Sequence, residues 1–240
     1  MKKLTIGLLA LIPLLGSTQN LKNLSNKASQ TLPVKSTLPA FSEKEAADAL
    51  KEALTKGANL GADLVAKTDG YFGNPKIKIP LPPDAQAKEQ KLKAIGLEKE
   101  VDQAKLSINR AAEDAGVKAK DIFVRAIGNM TVSDAISIVK GDLNAGTNYL
   151  KKQTQSALYA EFKPVIEESL KKVGATKHYE TVVLQYNKIP GVTKLNPNLS
   201  DFVTQKAIDG LFIMVEQEEY NIRKNPVART TALLKKVFES

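Results

Sequence analysis

Apolar positions begin to recur at helical spacing just after Ser42. Ala46, Ala49, Leu50, Ala53, Leu54, Leu60 and Leu64 fall on the three- and four-residue steps that put side chains on one helix face. Ser42-Glu43-Lys44-Glu45 opens this run as a capping box: the serine hydroxyl accepts from the third helical amide while Glu45 reaches back. The spacing predicts a helix to about Lys67. The periodicity then stops from Thr68 to Asp84, where Asp69-Gly70 and Gly73-Asn74-Pro75 are turn pairs. Ile77, Ile79 and Leu81 alternate with Lys76 and Lys78, which predicts a short extended segment, an edge strand at most because Pro80 has no amide donor.

From Asp84 onward the pattern is helical almost throughout. Gly96, Gly116 and Gly141 are candidate stops, and Ile108, Ala111, Ala112 and Ala115 form a narrow face suited to close packing. Thr131 to Asp134 reads as a capping sequence, Asn144 as the cap of a helix that bends or ends at Pro164. Tyr179, Val182, Val183 and Tyr186 follow helical steps, so this β-branched stretch reads as helix. Ser200 caps the next helix, whose Leu211 to Val215 run is apolar on every side and predicts a central, fully buried element. Asn225-Pro226 opens the last helix, with Leu233, Leu234, Val237 and Phe238 as its inner stripe. The fold class expected is all-α: a single multi-helix domain with a short extended loop at 68–84.

The start of the chain adds an address. Lys2 and Lys3 precede the apolar run Leu4 to Leu15 and the small residues Gly16, Ser17 and Thr18, the order of a signal peptide. No cysteine follows, so no acylated anchor forms. The organisation expected is signal peptide 1–18, flexible linker 19–40 rich in Ser, Thr, Asn, Lys and Pro, and helical domain 41–240.

Charge and composition narrow the chemistry. Of the net +9, Lys2, Lys3, Lys22, Lys27 and Lys35 lie before residue 41, which leaves +4 on the domain. Aromatics are 5% and no basic stripe is interleaved with them, so nucleic acid is not an expected partner. The absence of Cys excludes thiolate metal sites, thiol nucleophiles and disulfides, and His178 is the single histidine. No cofactor or metal is expected. Gly70 to Gly73 lacks the lysine and serine of a phosphate cradle.

Four arginines stand out, because Lys supplies 31 of the 35 basic residues. Arg110, Arg125, Arg223 and Arg229 are therefore expected where a planar fork matters, chiefly in structural pairs with carboxylates or carbonyls, a ligand anchor being the alternative. Glu219 and Arg223 form a favourable i,i+4 pair, and Asp209, Glu216 and Glu219 lie near one face of the central helix. Carboxylates so spaced suit acid–base chemistry or, more commonly, a polar seam answering Lys206, Arg223 or Arg229. In the loop, Tyr71, Phe72, Ile77, Ile79 and Leu81 present either an apolar edge to a partner or a cover for the domain's own core.

Several stretches together carry a resemblance: Lys67 to Pro75 (KTDGYFGNP), Ile79 to Pro82, Asn109 to Glu113, Met130 to Ala135, Phe202 to Phe212 and Ile222 to Thr231. They resemble the exported bacterial family known as domain of unknown function 4197 over about residues 41 to 240. The resemblance implies an exported helical domain and supplies no activity and no catalytic residues. A similarity to the plug subunit of the type IX secretion translocon further implies a protein that blocks the periplasmic mouth of an outer-membrane channel. The expectation is thus a non-enzymatic periplasmic interaction protein, monomeric when free and without an integral membrane anchor, whose partner is an outer-membrane barrel. The alternative is a periplasmic carrier of a small apolar or lipid-like ligand.

Overall fold

The computed structural model describes residues 42–172, 174–196 and 198–238; the signal peptide and linker expected at 1–18 and 19–40 lie outside the described residues. Ten α-helices account for most of these residues: α1 Glu43–Ala66, α2 Pro83–Gln86, α3 Glu89–Ala94, α4 Glu98–Gly116, α5 Ala119–Gly128, α6 Val132–Val139, α7 Ala145–Lys172, α8 Ala175–Asn187, α9 Ser200–Lys224 and α10 Ala232–Phe238. No strand occurs among the described residues. The all-α expectation holds.

Local chemistry explains most boundaries. Both capping boxes form: Ser42 Oγ accepts from Glu45 N while Glu45 accepts from Ser42 N, and Thr131 and Asp134 repeat the exchange at α6. Gly96 adopts φ +86° after α3, the left-handed turn that its missing Cβ permits. Two caps differ from expectation. Ser200 is the first residue of α9, and its hydroxyl donates sideways to Glu167 instead of capping. Asn225 caps only the 3₁₀ turn Pro226–Ala228, and Thr231 accepts from Leu234 N at the start of α10. Helix α7 continues through Pro164.

Helix α9 is central. It packs most extensively against α1 and α7 and also meets α4, while α4 additionally holds α7 and α8. Its Leu211, Phe212, Met214 and Val215 are buried, but Ile213 is 41% exposed, so the helix keeps one solvent face. The reason is packing number: neighbours on two sides and part of a third leave α9 one open flank. Phe212 meets Phe123 of α5 edge to face at 5.8 Å, and the small face of α4 (Ala111, Ala112, Ala115) is wholly buried. Tyr179, Val182, Val183 and Tyr186 bury one side of α8 as their spacing predicts.

The 68–84 segment packs inward. Tyr71, Ile77, Ile79 and Leu81 are 0–5% exposed and belong to the main core, which corrects the expectation of a partner-facing edge. A Cβ on Gly210 of α9 would stand 2.6 Å from the Tyr71 ring, so the glycine makes room for the tyrosine. The extended segment finds its backbone partner in a side chain: Asn109 Oδ1 accepts from Ile79 N and Asn109 Nδ2 donates to Ile79 O, both at 2.8 Å. One asparagine of α4 supplies what a neighbouring strand would.

Candidate interaction surface

Two buried carboxylates organise the polar side chains. Glu113, 3% exposed on the otherwise small face of α4, accepts through Oε1 from the Tyr71 and Phe72 amides at 3.1 and 3.2 Å. Its Oε2 takes Arg110 at 2.6 Å, and the same guanidinium reaches Asp69 at 2.7 Å. Arg110 therefore ties α4 to the turn as a fork between two carboxylates. Asp69 sits at φ +62°, a left-handed conformation that Asp tolerates better than most residues. Gly70 beside it is obligatory: a Cβ there would stand 2.5 Å from the Val65 carbonyl and 2.8 Å from that of Lys67, and closer still to that of Leu64. The Tyr71 hydroxyl donates to the Ala207 carbonyl of α9; burial, aided by the charges of Glu113 and Asp209, pushes this phenol well above its ordinary range.

Phe72 is the half-buried member of the loop. Lys78 Nζ lies 3.7 Å from its ring centroid and Arg110 covers it at 6.0 Å. Cations thus shield the one aromatic face that the loop leaves open.

The second hub is Glu219 of α9, 6% exposed. It accepts from Gly146 N at 2.9 Å, from Thr147 N and Thr147 Oγ1 at 2.7 Å each, and from Arg223 Nε at 3.0 Å. The carboxylate caps the first turn of α7 and satisfies amides that the helix leaves without internal partners. Arg223 also donates to the Ile138 carbonyl of α6, and Arg229 donates to the carbonyls of Ile222 and Arg223. This cluster joins α6, α7 and α9 to the chain that follows α9.

Other members of the expected seam fall outside it. Glu216 is exposed and accepts from the Asn144 amide at 3.0 Å, with no ion pair among the described residues. Asp209 is half-buried, meets Gln205 at 3.0 Å and Lys206 only at 3.9 Å. Arg125 forms no ion pair among the described residues and is exposed. Asp209 thus keeps the expected pairing with Lys206, apart from Glu219, whereas Glu216 and Arg125 are corrections: a 100° step per residue carries Glu216 off the flank that holds Glu219, and α5 turns Arg125 to solvent. Every buried side-chain nitrogen and oxygen among the described residues has a partner.

Surface apolar residues collect in two places. On the open flank of α9, Ile213 and Tyr220 lie two turns apart, and Tyr220 borders an open hollow of about 450 Å³ with Leu143, Asn144 and Glu216. Around α5, Val117, Val124 and Val132 are 61%, 48% and 44% exposed. The enclosed apolar cavity between α1, α9 and α10 holds only about 10 Å³, the space of one water. Sequence reasoning missed Glu113 and Asn109 as organisers; their signal was a carboxylate and an amide set among alanines on a packing face.

Residues 40–239 match the family described as Protein of unknown function (DUF4197). The chain belongs to that family. It matches no curated protein and no solved structure. Within the family domain lie all four arginines, both carboxylate hubs and the 68–84 loop. Among the described residues no single helix is long and apolar enough to cross a membrane.

Proposed function

We propose that this chain is an exported periplasmic protein that acts by contact, docking on an outer-membrane barrel and occluding its periplasmic mouth. The observation that carries the contact reading is the commitment of Glu113 and Glu219. The two carboxylates best placed for chemistry are consumed by seven backbone and side-chain groups that hold helices together. What the molecule offers outward is shaped surface, with apolar side chains exposed on α9 and around α5. The periplasmic address rests on the leader-like start, and the occluding role on the resemblance to the translocon plug. A carrier of an apolar ligand would require the 10 Å³ cavity beside Leu54, Val215 and Phe238 to open about thirtyfold or more.

Affinity purification of the tagged chain from crosslinked envelopes, with mass spectrometry of protein and lipid, tests the reading. An outer-membrane barrel recovered at stoichiometric yield is the expected result. A stoichiometric lipid without a protein partner would replace the contact reading with the carrier.

A further inference from the structure

Arg125 stands apart from the other three arginines. Arg110, Arg223 and Arg229 direct their forks at carboxylates or carbonyls within the fold. Arg125 is exposed, and among the described residues its guanidinium meets neither. A chain that uses Lys for 31 of 35 cations has no need of Arg for solubility. Nor does helix position account for it. Arg125 lies in the last turn of α5, where a cation offsets the partial negative charge of the helix end, but Lys serves that purpose equally well.

The surroundings of Arg125 form a continuous face. Lys118 precedes it by seven residues on the same helical row, and Lys51 of α1 reaches the Gly128 carbonyl at the far end of α5. The adjacent row carries the exposed Val117 and Val124, and Val132 follows where α6 turns away at 105°. Asp121 is the acid between these rows. Lys51, Lys118 and Arg125 outnumber Asp121 and the exposed Asp48, one turn before Lys51 on α1; interleaved with three exposed valines, they complement a segment of opposite charge that also bears apolar side chains.

We propose that this face of α5 docks an acidic, partly apolar segment of a partner protein, with the Arg125 fork gripping one carboxylate through both arms. The proposal rests on the contact reading above and names the chemistry of the partner. An anionic bilayer presents a similar charge, but surface-binding helices insert Trp, Phe or Leu, whereas this face offers valines and retains Asp121. A protein segment fits better.

The first test uses the full chain, ¹⁵N-labelled, titrated with a short blocked peptide alternating Glu and Leu. Amide shifts confined to Val117–Val132 and the neighbouring Lys51 region are expected. Arg125→Lys keeps the charge and loses the fork, so it should weaken this binding about fivefold or more while leaving the melting temperature unchanged. Shifts elsewhere, equal binding by Arg125→Lys, or a lowered melting temperature would each overturn the proposal. Phosphatidylglycerol vesicles that protect α5 while the peptide gives no shift would overturn it in favour of a membrane surface. A second test places a photocrosslinking residue at Val124 or at Tyr220 in the exported chain. Crosslinks to a protein partner from Val124 are expected. Crosslinks from Tyr220 alone would reject the α5 face and leave the contact reading standing, while none from either position would reject both.

Discussion

Glu219 and Arg223 are four residues apart on one helix, yet the value of their pairing comes from what else the carboxylate holds. With both oxygens occupied by Gly146, Thr147 and Arg223, Glu219 leaves no acceptor free to rearrange. Glu219→Gln turns an N–H toward amides that need an acceptor and should cost about 3 kcal/mol. Arg223→Lys keeps the charge but loses the fork between Glu219 and the Ile138 carbonyl, and should cost about 1–3 kcal/mol. Urea midpoints with unchanged slopes measure both, and Arg125→Lys, which breaks no internal contact, should leave the midpoint where it is.

Glu45 gives the residue scale a pH dependence. Its carboxyl is lowered to about 2, first by the hydrogen bond from Lys236 and then by the Ser42 amide and hydroxyl. A depressed folded value means that its contribution is present above the ordinary value of 4.5 and is lost as pH falls toward 2. Wild type should therefore exceed Glu45→Gln in stability at neutral pH. The difference should vanish across that window, as thermal melts at a series of pH values would show. A constant difference down to the acid limit would mean that Glu45 acts without its charge.

At the scale of elements, the loop between α1 and α2 is the informative case. Its apolar residues alternate as an edge strand's would, but Tyr71 lies under α9 and Ile79 is paired by Asn109. Tyr71→Ser should therefore destabilise by about 3–5 kcal/mol, a fall of roughly 10 °C in a domain of this size. Phe72→Ser, at a half-exposed ring held by Lys78, should cost much less. Calorimetry on the two single variants separates them. Equal losses would place Phe72 in the core as well.

Across the whole molecule, stability is unevenly shared. One core cluster runs from α1 through α9, whereas α10 rests mainly on a satellite of Ala53, Ile222 and Leu234, with Phe238 alone also touching the main cluster. Little buried apolar contact means a low local opening energy. Amides of α10 should thus exchange with deuterium well before those of the α9 segment Leu211–Val215, under conditions where global unfolding is rare. Simultaneous exchange of the two helices would make α10 part of the central cooperative unit.

The helices were legible because their causes are local. Ser42 with Glu45, Thr131 with Asp134, and the spacing of Tyr179, Val182, Val183 and Tyr186 act within a few residues of chain. The i,i+4 pair of Glu219 and Arg223 belongs to the same class. Other outcomes depended on which surface reached which. An alternating apolar loop satisfies an inward and an outward docking equally until α9 supplies the space at Gly210 and α4 supplies Asn109 and Glu113. The residue type of Ile213 suits the buried run in which it stands, but the number of helices that fit around α9 leaves it exposed. The arginines show the division most plainly. Their rarity marked all four from the sequence, and Glu113 and Glu219 stand within a turn of Arg110 and Arg223. Only the tertiary structure brought Asp69 and the Ile138 carbonyl to those two forks, folded the chain after α9 back so that Arg229 meets Ile222, and left Arg125 open to solvent.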